Sequence, residues 1–159
     1  MEVRFIQDKD IKDVCSLLMS EENALSDDLS IKMDMEFLPE ALSKINIIVV
    51  VDNDKICAMF MLIKLNSTLA EFHSCIHKEY RGRTAISIAL MARDFVFRET
   101  PLIKLITHIP VYNLPAYALA RKVGMEMIGL NTKSIVKNHK VFDQHIFGFS
   151  KEGISCQQR

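Results

Sequence analysis

Two stretches of the sequence carry residue types that could do chemistry. In "EFHSCIH" the residues Glu71, His73, Cys75 and His77 alternate with their neighbours. Successive side chains of a strand point to opposite faces, so this spacing sets a carboxylate, a thiol and two imidazoles along one face. An imidazole has the unperturbed pKa best suited to a base near neutrality, which makes His73 a candidate, with Glu71 beside it. A solvated polar strand face would read the same way. Just downstream, Arg81-Gly82-Arg83 opens an apolar helix. Where a strand hands over to a helix, several backbone N–H groups lack an intrahelical partner and the helix dipole adds partial positive charge. Such a junction can hold a phosphate. The bland alternative is a surface turn feeding a core helix.

These residues need a frame. "VRFI", Val3 to Ile6, reads as a short strand. Asp8 or Asp10 can cap a following helix whose apolar positions Ile11, Val14, Leu17 and Leu18 fall at helical spacing. A second helix is expected near Leu29 to Ser43. "NIIVVVDNDKICAMFMLIKL" reads as a hairpin turning at Asp52-Asn53-Asp54, and "TLAEFHSCIH" as a third strand of the meander. A long helix from about Thr84 to Arg98 and a strand in "PLIKLITHI" follow. "NLPAYALARKVG" carries helix punctuation at both ends, with Asn113 as cap, Pro115 in the first turn and Gly124 as the stop. The last segment is a hairpin turning between Lys137 and Lys140.

Composition excludes several classes. Length, 159 residues, suits one domain, expected over 1–150 with a polar tail at 151–159. Twenty Lys and Arg balance twenty Asp and Glu, so no general attraction to nucleic acid or an anionic membrane is expected, and an anion site must be local. The N-terminal residues lack the apolar run of a signal peptide, and Cys15, Cys57, Cys75 and Cys156 show neither C-x-x-C pairing nor zinc-type spacing. Reduced thiols in a cytoplasmic protein, without a metal site, are the expectation.

The order of elements, together with "CIHKEYRGRTAI" and "NLPAYALARKVGMEMIG", resembles the GNAT superfamily of acyl-CoA-dependent N-acyltransferases. The second stretch places Asn113, Ala116, Lys122 and Gly124 in register with the family's helix motif. The resemblance implies an α+β fold of the α/β/α type: a mixed, mostly antiparallel seven-stranded sheet flanked by about four helices. It implies acetyl-CoA as cosubstrate and an amine, on a small molecule or a protein, as acceptor. Carried across, pantetheine would run along Ser74, Cys75, Ile76 and His77. The pyrophosphate would meet the amides of Arg83, Thr84, Ala85, Ile86 and Ser87 beyond Gly82, with Arg81 or Arg83 adding charge; Asn113 would complete the cofactor site.

The pattern also departs from the family. The two small positions of its phosphate loop are occupied by Thr84 and Ile86, and the tyrosine that often protonates the departing thiolate is replaced by Ala120. A β-branched residue cannot give the close backbone approach that glycine allows, though Thr84 could itself cap the helix. Tyr112 is the better substitute acid, Tyr117 a packing residue. The base would come from Glu71 or His73, and His108 could also face the acceptor cleft. His139 and His145 read as hairpin residues. The acidic "SEENALSDDLSIKMD" suggests a cationic acceptor. The same wording is similar to small, degenerate members encoded by tailed bacteriophages, some described as head-assembly proteins. That resemblance implies phage structural proteins as partners, a host-cytoplasmic location and a role without catalysis. An α+β adaptor for nucleic acid or protein is disfavoured by the neutral charge.

Overall fold

The computed structural model describes residues 1–20, 38–43 and 45–153. Strand β1, Glu2–Phe5, leads through a short 3-10 turn at Asp8–Asp10 into α1, Ile11–Ser20; α2, Leu38–Ser43, follows. Strands β2, Asn46–Asp52, β3, Lys55–Lys64, and β4, Leu69–Ile76, form the meander. Helix α3, Arg83–Glu99, strand β5, Lys104–Pro110, helix α4, Leu114–Lys122, and strands β6, Glu126–Lys137, and β7, Lys140–Ser150, complete the chain. The helix expected from near Leu29, and the acidic segment before it, lie outside the described residues except for α2.

The sheet has seven strands in the order β1-β2-β3-β4-β5-β7-β6. Every neighbouring pair is antiparallel except β4 with β5. The parallel pair needs a crossover, which α3 supplies. Both faces are covered. Ile48, Val50, Phe60, Ile88, Val96, Leu105 and Phe147 belong to the core beneath α3 and α4, whereas Val14, Leu18, Ile47, Val49 and Met59 belong to the core beneath α1 and α2. This double burial explains why β2 and β3 read as unbroken apolar runs.

Local chemistry sets the turns. Asn53 and Asp54 both have positive φ, 48° and 63°, the backbone that a two-residue hairpin requires and that Asn and Asp tolerate. Asn138 and His139 do the same between β6 and β7, at 51° and 57°. At the first helix the capping expectation is refined: Asp10 is buried, accepts the Gln7 N–H at 2.8 Å and takes both terminal nitrogens of Arg4, one at 2.9 Å. It ties β1 to the helix start. Asn113 does cap α4, accepting the Ala116 N–H at 3.2 Å, and Gly124, at φ +81°, ends that helix.

Candidate functional site

The parallel pairing of β4 and β5 is short. Leu69, Ala70 and Glu71 face Lys104, Leu105 and Ile106, and there the ladder stops. Beyond it β4 continues to Ile76, still bonded to β3, while β5 continues to Pro110, bonded to β7. Among the described residues the β5-facing edge of β4 from Phe72 onward thus has no strand partner. Two cavities flank this parting. One, about 370 Å³, is lined by Glu71, His73, His108, Tyr112, Asn131 and Gln144 among others. The other, about 450 Å³, is walled by the end of β4, the start of α3 and the exposed side of α4. Ser74, Asn113, Ala116 and Leu119 line both, so the cavities adjoin across the gap.

In the polar recess three side chains from two strands converge. Glu71 Oε1 lies 2.8 Å from His108 Nδ1 and 3.2 Å from His73 Nε2. Period-two alternation puts Glu71 and His73 on one face of β4, and the parallel register brings His108 beside them from β5. Burial pushes the His73 imidazole below its ordinary value; the Glu71 charge opposes this and His108 reinforces it. The cluster is partly enclosed rather than a solvated strand face, with Glu71 and His108 side chains only 20% and 24% exposed. Gln144 faces both Pro110 and Asn131 across the sheet, extending a polar row from β5 to the edge strand.

The second cavity gathers Ser74, Cys75, Ile76, Arg81, Gly82, Ala85, Ile86 and Asn113, all expected from the sequence, and adds Lys122 from α4. Gly82 is the residue before α3 and has φ +78°, ψ −131°, a conformation that glycine alone adopts readily. A β-carbon there would meet nothing within 4 Å, so the need is conformational and not one of space. Arg81 Nε donates to the Ile76 carbonyl at 3.4 Å, which holds the arginine against the end of β4.

Other expected residues stand elsewhere. His77 has left the strand: its side chain accepts the Glu79 N–H at the start of the 3-10 turn Lys78–Tyr80. Arg83, Thr84 and Ser87 lie in the first turns of α3 but do not line either cavity. Thr84 does not cap the helix, because Gly82 occupies that place. Tyr112 lines the polar recess and packs edge-on against Phe142 at 4.9 Å. Ala120, where the family tyrosine would fall, is buried in the recess wall, and Tyr117 packs on His145 and Phe147 as a core residue.

His145 corrects a reading. It is a hairpin residue, on β7, but it faces inward: it packs between these rings, and its Nδ1 is buried without a partner among the described residues. Asn131, Gln144 and Lys122 were not expected as wall residues. The first two could be found only from the β6–β7 register, since polar residues on a hairpin look solvated in sequence. Cys15, Cys57 and Cys75 are buried, and burial pushes the Cys15 and Cys57 thiols up, away from reactivity. Among the described residues no cluster could hold a metal ion, and no helix is long and apolar enough to cross a membrane.

No protein-family model matches the sequence, and no curated protein is significantly similar to it. The fold has clear counterparts among solved structures. Spermidine N-acetyltransferase from Vibrio cholerae, in complex with CoA and spermine, superposes with a TM-score of 0.80 at 21% identity, covering 94% of this chain and 95% of that one. A ribosomal-protein-alanine N-acetyltransferase from Brucella melitensis gives 0.78 at 15% identity, over 94% and 99%. A Salmonella typhimurium protein described as an acetyltransferase, solved with its cofactor acetyl-CoA, gives 0.78 at 14%, over 99% and 98%. The chain therefore has the GNAT fold, with the mostly antiparallel seven-stranded sheet that the element order implied.

Proposed function

We propose that the chain is an acetyl-CoA-dependent N-acetyltransferase acting on an amine. The observation that carries this reading is the parting of β4 from β5 after Glu71 and Ile106, with adjoining cavities on its two sides. Backbone amides left without a strand partner can pair with an extended, amide-bearing ligand as if it were a further strand. Pantetheine is such a ligand. It would run along Ser74 to Ile76, with the pyrophosphate at the start of α3 near Gly82, Ala85 and Ile86 and with Arg81 and Lys122 supplying positive charge from opposite walls. The thioester would then reach the gap, where the recess on the far side offers, among the described residues, the Glu71 carboxylate and the His73 and His108 imidazoles.

The solved structures with CoA or acetyl-CoA support the choice of cosubstrate, and the spermine complex supports an amine acceptor in this fold. Among the described residues of the recess, Glu71, His73 and His108 are the groups able to take a proton from an ammonium, and Tyr112 brings a phenol that can protonate a departing thiolate. Calorimetric titration of the whole chain with acetyl-CoA and with desulfo-CoA tests the reading. One-site binding of both is expected. No heat at millimolar ligand would contradict it and favour the interaction role implied by the phage resemblance.

A further inference from the structure

We infer that His108, rather than Glu71, is the base that takes the proton from the acceptor ammonium, and that Glu71 is the positioning residue which fixes its tautomer. This rests on the acetyltransferase reading. An ionised carboxylate has lone pairs but no hydrogen to give, so each nitrogen it touches must supply the proton. Glu71 Oε1 is hydrogen-bonded to His108 through Nδ1. His108 is thereby held as the Nδ1–H tautomer, which leaves a lone pair on Nε2 of a ring that lines the recess. Burial disfavours the charge of the His73 ring, whose Nε2 lies 3.2 Å from the same oxygen.

Glu71, by contrast, is already engaged. Its Oε1 accepts from His108 Nδ1 at 2.8 Å, and the His73 ring stands 3.2 Å from the same oxygen. The arrangement matches the logic of a carboxylate orienting an imidazole for general-base work. The titratable groups lining the recess beside His108 are Glu71 and His73 from β4 and Tyr112 from the turn after β5; β7 contributes uncharged Gln144.

The step balances as follows. The ammonium gives one proton to His108 Nε2, and the freed amine forms a C–N bond to the thioester carbonyl carbon. The C–S bond breaks, the thiolate takes the second proton from the attacking nitrogen, and the imidazolium returns its proton to water. Acetylated amine, free coenzyme A and one proton result.

Long-range 1H–15N spectra of the histidine rings in the full-length protein test the tautomer directly, with His108→Gln identifying the signals. The expected result is a neutral His108 protonated at Nδ1 with Nε2 bare. Thiol release from acetyl-CoA, with spermidine and n-butylamine as probe amines, supplies the second readout. His108→Gln should lower kcat about a hundredfold or more, the usual scale of general-base loss, and abolish the acid limb of the pH–rate profile while leaving acetyl-CoA affinity unchanged. Glu71→Gln replaces an obligatory acceptor with an amide that can also donate, so the His108 ring should populate both neutral tautomers and kcat should fall. A His108 protonated at Nε2, or a folded His108→Gln protein with wild-type kcat and acid limb, would overturn the assignment. Should both amines prove inert, the tautomer decides. A wild-type protein that does not bind acetyl-CoA would instead sink the acetyltransferase reading itself, and this inference with it.

Discussion

At the scale of single residues, the Glu71 cluster binds proton chemistry to stability. His73 has a folded-state pKa below its unfolded value, so the unfolded chain takes up the proton first. Stability is therefore full above about pH 6.5, the unperturbed imidazole value, and declines as pH falls through it. His73→Gln should flatten that decline between pH 7 and 5, read as the melting temperature against pH; an unchanged slope would remove His73 from the account. Asp10 acts in a more acidic window. The hydrogen bonds from Arg4 hold its carboxyl below the usual range, so its contribution is present above about pH 4 and is lost as pH falls further. Asp10→Asn should cost about 1–3 kcal/mol at pH 7 by denaturant melts, because half-buried Arg4 loses the carboxylate that pairs with it. Alternation in "EFHSCIH" was enough to place Glu71 and His73 together. What it could not show was His108 as their partner, since that contact spans 37 positions and depends on the parallel register of β4 with β5.

At the scale of elements, the start of α3 separates residues that the sequence treats alike. Arg81 lines the coenzyme-sized cavity, and Arg83 does not. Arg81→Ala should therefore weaken acetyl-CoA binding by about 1.5–3 kcal/mol, the scale of a charge-assisted contact, while Arg83→Ala stays within about threefold of wild type by calorimetry. Equal losses would mean that the phosphates lie further along the helix than proposed. Ile86 is half-buried against the core and borders the cavity, so Ile86→Gly should open the loop to closer approach and tighten binding, at some cost in helix stability. Hairpins and helix ends were legible because Asn, Asp, Gly and Pro act through local backbone geometry. The end of β4 was not: nothing in "CIHKEY" signals that His77 leaves the strand for a 3-10 turn, which turns its side chain from the β4 face onto the Glu79 amide.

At the scale of the whole molecule, the alternation of strands and helices specified the fold because each crossover and hairpin has few ways to close over two apolar layers. Ile88, fully buried at the centre of α3, ties that helix to the core, and Ile88→Ala should cost about 2–5 kcal/mol. A folded Glu71→Gln/His108→Gln protein should fail to complement a deletion of the gene; full rescue would assign the role to protein interaction. The most direct test of the central claim is mapping of backbone amide shifts during titration with acetyl-CoA. The account expects the largest changes at Ser74–Ile76, Arg81–Ile86 and Asn113–Ala116, bordering the gap between β4 and β5. Saturating acetyl-CoA that leaves those amides unmoved would contradict it.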